Sequence, residues 1–146
     1  MNIILIAHEK KKELLLRFCE AYNSVLKKHS LFSTEDLRLK IISVVNCSVS
    51  AFLAGDRGGY QQVESRIACN EVDLVVFFKD PFTKNELEKR EVEIERLCDV
   101  YAVPIATNIA AAELMILGVE RGDLDWRIVM NNWSLTKLDK LKPAMA

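Results

Sequence analysis

Two unbroken apolar runs constrain this chain more than any other feature. They are Ile3-Ile4-Leu5-Ile6-Ala7 near the start and Leu74-Val75-Val76-Phe77-Phe78 in the middle. Neither alternates with polar residues, so neither suits a sheet with one face in water. Each predicts a strand covered on both faces, as at the centre of a parallel sheet between two layers of helices. The intervening sequence has a different period. Over residues 9–28, Leu14, Leu15, Phe18, Tyr22, Val25 and Leu26 fall at helical spacing, with lysines and glutamates on the opposite side. Residues 30–33, 49–53 and 103–106 read as further strands, and 126–130 as a last one. Residues 35–42, 61–70, 84–101 and 109–121 read as helices. Strand and helix alternate throughout, which predicts an α/β domain: a mostly parallel sheet with helices on both faces. A chain of 146 residues is one such domain, residues 1–146, and the pattern fades in the tail at 131–146.

Charge and cysteine content narrow the function classes. There are 20 basic and 21 acidic residues, so the chain lacks the basic excess of a binder of nucleic acid polymers. No apolar run approaches the roughly 20 residues of a membrane span. The apolar stretch at 2–7 follows Met1 without a basic segment, so it reads as a strand and not as an export signal. Cys19, Cys47, Cys69 and Cys98 are scattered, and His8 and His29 are the two histidines. No zinc or redox spacing results, which predicts reduced thiols, a cytoplasmic protein, and no metal or other cofactor.

An open parallel sheet binds ligands beyond the carboxyl ends of its strands. The residues just after each predicted strand are therefore the candidates. They are His8, Glu9 and Lys12; Thr34, Glu35 and Asp36; residues 55–62, the one glycine-dense segment; Lys79, Asp80 and Pro81; and Thr107 and Asn108. Each also has a plainer reading. His8 can cap a helix, and Thr107-Asn108 can do the same. Gly55, Gly58 and Gly59 can simply make a turn, although such a turn can also cradle an anion. Arg57 can meet a phosphate, meet a carboxylate, or pair with Asp56. Glu35 and Asp36 suit the first turn of a helix for dipole reasons alone.

Several segments together carry a resemblance. They are Ile6-Ala7-His8-Glu9 with Lys12, Leu31-Phe32-Ser33-Thr34, Gly58-Gly59-Tyr60-Gln61-Gln62-Val63, residues 73–81 (DLVVFFKDP), and Pro104-Ile105-Ala106-Thr107-Asn108-Ile109-Ala110. In order and interval, the chain resembles the methylglyoxal synthase family from residue 2 to about residue 117. The resemblance implies a Rossmann-like α/β domain and a cytoplasmic homo-oligomer, commonly a hexamer. The reaction it implies is elimination of phosphate from dihydroxyacetone phosphate through an enediolate.

It also points to departures. The family's catalytic aspartate falls at Tyr60, and a tyrosine is a poor base near neutrality. The family's TGTTG phosphate loop falls at Thr34-Glu35-Asp36-Leu37-Arg38, where two carboxylates have arrived. Ala54 stands in place of a serine, and Leu87 in place of a histidine. The positions kept are His8, Lys12, Thr34, Gly55, Asp80, Thr107 and Asn108.

On this reading His8 and Asp80 are the retained catalytic positions. Ligand contacts are expected from His8, Lys12, Thr34, Gly55, Arg57, Gly58, Gly59, Thr107 and Asn108. The expectation is a diverged member that has lost the parent reaction and binds a small anionic metabolite or nucleotide in a regulatory or assembly role. The alternatives are a lyase that keeps the reaction, with Asp56 or Asp80 as base, and a purely structural or partner-binding homo-oligomer.

Overall fold

The computed structural model describes residues 1–84 and 86–130. Five parallel strands form one sheet in the order β3-β2-β1-β4-β5. They are β1 (Asn2–Ala7), β2 (Ser30–Thr34), β3 (Val49–Phe52), β4 (Leu74–Phe78) and β5 (Ile105–Ala106). The helices are α1 (Lys12–Ala21), α2 (Asn23–Leu26), α3 (Glu35–Val45), α4 (Gly59–Ala68), α5 (Glu88–Val100), α6 (Ile109–Arg121) and α7 (Asp125–Met130). Short 3-10 turns at Glu9–Lys11 and Gly55–Arg57 precede α1 and α4.

The two apolar runs are the sheet's central neighbours. β1 pairs with β4 from Ile3 opposite Leu74 to Ala7 opposite Phe78. Alternate side chains leave opposite faces. Ile3, Leu5, Leu74, Val76 and Phe78 join Leu15 and Phe18 of α1, Leu37 and Ile41 of α3, and Ile116 of α6 in one core. Ile4, Ile6, Val75 and Phe77 join Val63 and Ile67 of α4, and Ile94 and Cys98 of α5, in the other. Both faces of the central strands are thus dry, as their composition requires.

Beyond shifts of a few residues at element ends, two segments differ from the sequence reading. The helix expected over 9–28 is a 3-10 turn followed by two helices, broken at Tyr22. The segment expected as a last strand, 126–130, is helical. A short apolar run does not by itself distinguish strand from helix, and here one residue accounts for the outcome. Arg127 of α7 is 3% exposed and lies beneath the amino ends of the strands. Its guanidinium donates to the carbonyls of Val72 (3.0 Å), Tyr101 (3.2 Å) and Ala102. Its Nε is 3.5 Å from the buried Asp73 carboxylate, which also accepts the Asn2 N–H at 2.8 Å. The expected tail at 131–146 lies outside the described residues.

The turn between β3 and α4 is closely determined. Ala54 O accepts from both Arg57 N (2.9 Å) and Gly59 N (3.0 Å), and Gln62 Oε1 accepts from Leu53 N at 2.7 Å. Gly58 has φ +98°, a conformation that side chains disfavour. A Cβ on Gly59 would lie 1.9 Å from Leu53 O.

Two stability predictions follow from this packing. Arg127→Ala removes the guanidinium 3.5 Å from the buried Asp73 carboxylate and the donor to three carbonyls, which is expected to cost about 3–5 kcal/mol. Urea unfolding measures it, and a loss under about 1 kcal/mol contradicts the assigned role. Gly59→Ala forces the turn apart and is expected to cost about 1–3 kcal/mol. An unchanged urea midpoint would contradict that packing.

Candidate active site

The carboxyl ends of β1, β2, β3 and β4 open into a cleft of about 830 Å³. Parallel pairing brings all four ends to one edge, so residues far apart in sequence share it. His8, Lys12, Thr34, Gly55 and Asp80 all line the cleft, and so does Tyr60. Lys84 and Glu86 line it too. They precede α5, which begins at Glu88 and not at residue 84 as expected.

Among the expected ligand contacts, Arg57, Gly58, Gly59, Thr107 and Asn108 do not line the cleft. Arg57 turns to the Glu35 carboxylate, 3.0 Å away, and not to Asp56. Gly58 and Gly59 shape the turn. Asn108 caps α6, its Oδ1 accepting from Ala111 N at 3.0 Å, and the Thr107 carbonyl accepts from Lys79 N at 3.1 Å.

His8 is held from both sides. Its Nδ1 faces the Asp80 backbone N–H at 2.8 Å and must be the acceptor. The ring proton is therefore on Nε2, which donates to Glu91 Oε1 at 2.5 Å. Glu91 is a site-forming residue that the sequence reading missed. It is 3% exposed and lies on α5's inward stripe with Leu87, Ile94 and Cys98. A glutamate at that spacing was the available signal, since an unpaired buried carboxylate is costly and calls for a partner.

Asp80 is also fixed. Its Oδ1 accepts from Phe82 N at 3.0 Å, and its Oδ2 from the Thr83 hydroxyl at 2.5 Å. The Thr83 bond and then the Phe82 bond hold its pKa below the usual carboxylate value. Its side chain thus stabilises the turn after β4 as well as facing the cleft.

Lys12 sits between two acids, Glu9 and Asp36, at 2.5 Å from each. Burial pulls the ammonium's pKa down, but the bonds to Asp36 and Glu9 prevail and raise it. For Asp36, burial acts upward, and the bonds from Lys12 and the Thr34 hydroxyl outweigh it, leaving a lowered value. The acidic pair at the head of α3 is therefore not there for the helix dipole alone. Asp36 binds Lys12, while Glu35 binds Arg57 and also accepts from Ala54 N at 3.3 Å.

Tyr60 is 6% exposed, and its ring lies against Gly55, where a Cβ would come within 2.9 Å of the ring. The ring also meets Phe77, centroid to centroid 5.4 Å. Burial first, and then the charges of Glu91, Asp36 and Asp56, push the phenol's pKa well above its ordinary value. At neutral pH Tyr60 is a hydrogen-bond donor and not a base. Among the described residues, no group of three His, Cys, Asp or Glu side chains is placed to hold a metal ion, and no helix is long and apolar enough to cross a membrane.

Comparison with known proteins bears on this geometry. The MGS-like domain family matches residues 15–107. The methylglyoxal synthase of Caldicellulosiruptor saccharolyticus is 47% identical over 131 residues, 90% of this chain and 93% of the relative. That of Listeria welshimeri is 46% identical over 132 residues, 90% of this chain and 98% of the relative. The crystal structure of methylglyoxal synthase from Elizabethkingia anophelis superposes with a TM-score of 0.68 at 30% identity, over 79% of this chain and 76% of that one.

These relatives overturn the expectation of a binding or assembly module that has left the parent reaction. Part of the physical argument for that expectation was the arrival of the Glu35 and Asp36 carboxylates in the phosphate loop. Those carboxylates are in fact paired, with Arg57 and Lys12. With the family match covering most of its length and near-full-length relatives at 47% identity, the chain belongs to the methylglyoxal synthase family.

Proposed function

We propose that this protein is a carbon–oxygen lyase of the methylglyoxal synthase type, eliminating phosphate from dihydroxyacetone phosphate in the strand-end cleft. The observation that carries the reading is identity of 47% with methylglyoxal synthases across 90% of the chain. The cleft supports it by combining lysines for an anion with carboxylates for proton transfer. Lys10, Lys12 and Lys84 line it, as do Glu9, Asp36, Asp56, Asp80 and Glu86.

The chemistry needs three things: a cation for the phosphate, a base for a proton beside the carbonyl, and a donor for the oxygen that becomes an enolate. Lys12 serves the phosphate. Because it already bridges Glu9 and Asp36, a bound phosphate competes with those carboxylates. Tyr60, held protonated in the cleft wall, is a donor for developing oxyanion charge. The Glu91–His8–Asp80 chain braces the cleft beside Tyr60, fixing the peptide of Asp80.

Purified protein with dihydroxyacetone phosphate is expected to release methylglyoxal and inorganic phosphate in a one-to-one ratio. Failure to form either product at micromolar enzyme overturns the reading. The pairing of Lys12 makes a second prediction. Asp36→Asn removes a partly exposed competitor worth up to about 1 kcal/mol, so KM should fall up to roughly fivefold. A raised KM would contradict competition at Lys12.

A further inference from the structure

The cleft has several candidate proton acceptors, and nearly all are already engaged. Glu9 and Asp36 share Lys12. Asp80 accepts from Phe82 N and Thr83 Oγ1. Glu91 accepts from His8, whose Nδ1 faces the Asp80 N–H. Tyr60 holds its proton too firmly to act as a base.

Asp56 stands apart. Its carboxylate makes no hydrogen bond or ion pair among the described residues. It is the middle residue of the 3-10 turn Gly55–Arg57, and it lines the cleft. It is close enough to Tyr60 to act on the phenol together with Glu91 and Asp36. Glu86 is also unpaired among the described residues and, like Asp56, exposed, but it lies ahead of α5 and is not among the charges that act on Tyr60.

The turn that carries Asp56 is held at every neighbour. Ala54 O takes two N–H groups, Arg57 is bound to Glu35, and the Tyr60 ring is packed on Gly55. A base must be reachable and positioned before the substrate arrives, and Asp56 faces the cleft from a turn held on both sides.

The structure assigns Asp56 as the general base of the proposed elimination, an inference that rests on the lyase reading above. Its carboxylate takes one proton from the hydroxymethyl carbon beside the carbonyl. The C–H electron pair becomes the carbon–carbon double bond of the enediolate, and the carbonyl π pair moves onto oxygen, facing Tyr60. That oxygen stays an oxyanion held by the Tyr60 hydroxyl, and the substrate hydroxyl gives up its proton as it becomes an aldehyde carbonyl. The double bond shifts by one carbon, and the carbon–oxygen bond to phosphate breaks, with the phosphate taking the bonding pair. The proton on Asp56 passes to the terminal carbon of the resulting enolate, making the methyl group, as the oxygen's pair re-forms the ketone and Asp56 returns to its carboxylate. The hydroxyl's proton leaves with the phosphate. Atoms and electrons balance without water or an oxidant.

The test compares wild type with Asp56→Asn and Asp56→Ser, reading steady-state turnover and exchange of substrate hydroxymethyl hydrogens with D2O by NMR. Thermal melts check that both variants fold. Asp56→Asn is expected to lower kcat by about 100-fold or more, with KM within about threefold, and to abolish exchange. Turnover of both variants within about threefold of wild type overturns the assignment while leaving the lyase reading intact. If wild type exchanges hydrogen through Asp56 but releases no phosphate, the base stands and the elimination reading fails. If wild type neither exchanges nor eliminates, both fail.

Discussion

The structure depends on β1 being buried on both faces and paired on both edges. Its ladder to β2 runs from Asn2 to Leu5, and its ladder to β4 from Ile3 to Ala7. A strand so placed cannot slip by one residue without exchanging the two cores, because Ile3, Leu5 and Ala7 face one helical layer and Ile4 and Ile6 the other. Its carboxyl end is then the midpoint of the site. His8 follows at once and bonds back to the sheet through Phe78 O at 2.9 Å. The ends of β2 and β3 bring Thr34 and the 55–57 turn to one side, and the end of β4 brings Asp80 to the other. At the opposite edge, Arg127 closes the amino ends by satisfying three carbonyls and facing Asp73.

The cleft thus built is a network of charges that mostly satisfy one another. Lys12 is bracketed by acids, Glu35 answers Arg57, and His8 links Glu91 to the Asp80 peptide. Such pairing makes the substituted phosphate loop compatible with anion chemistry, since a phosphate meets compensated carboxylates and not bare ones. It also has a consequence for affinity: the substrate must exchange one ion pair for another. In a site where most polar groups are engaged, an unengaged carboxylate on a rigid turn is the group able to accept a proton.

Much of the fold was legible because it rests on pattern. Five-residue apolar runs, helical stripes between them and acidic first turns are properties of local sequence, and the strands and main helices follow from them. The reading failed where a single long-range contact decides. Residues 126–130 look like a strand until Arg127 finds the carbonyls of Val72, Tyr101 and Ala102. At the site, the strand-end rule located His8, Lys12, Thr34, Gly55 and Asp80. It could not show that Arg57 turns away to Glu35, or that Asp36 reaches Lys12, because both pairs cross between elements. Glu91 had a local signal, an acid on an apolar stripe, but its partner lies 83 residues away. Sequence reasoning weighed the substituted loop by its formal charges. The structure replaces those charges with pairs, and so removes the main physical objection to the family's reaction.

The central claim is that a phosphorylated substrate occupies this cleft with its phosphate at Lys12 and its reacting carbon at Asp56. A crystal structure with a non-eliminating phosphate ester that mimics the enediolate tests it most directly. The account predicts density between the two, with the Lys12 ammonium drawn from Asp36 toward the phosphate and an oxygen of the mimic near the Tyr60 hydroxyl. A saturating mimic bound elsewhere, with Lys12 still bridging Glu9 and Asp36, would contradict it.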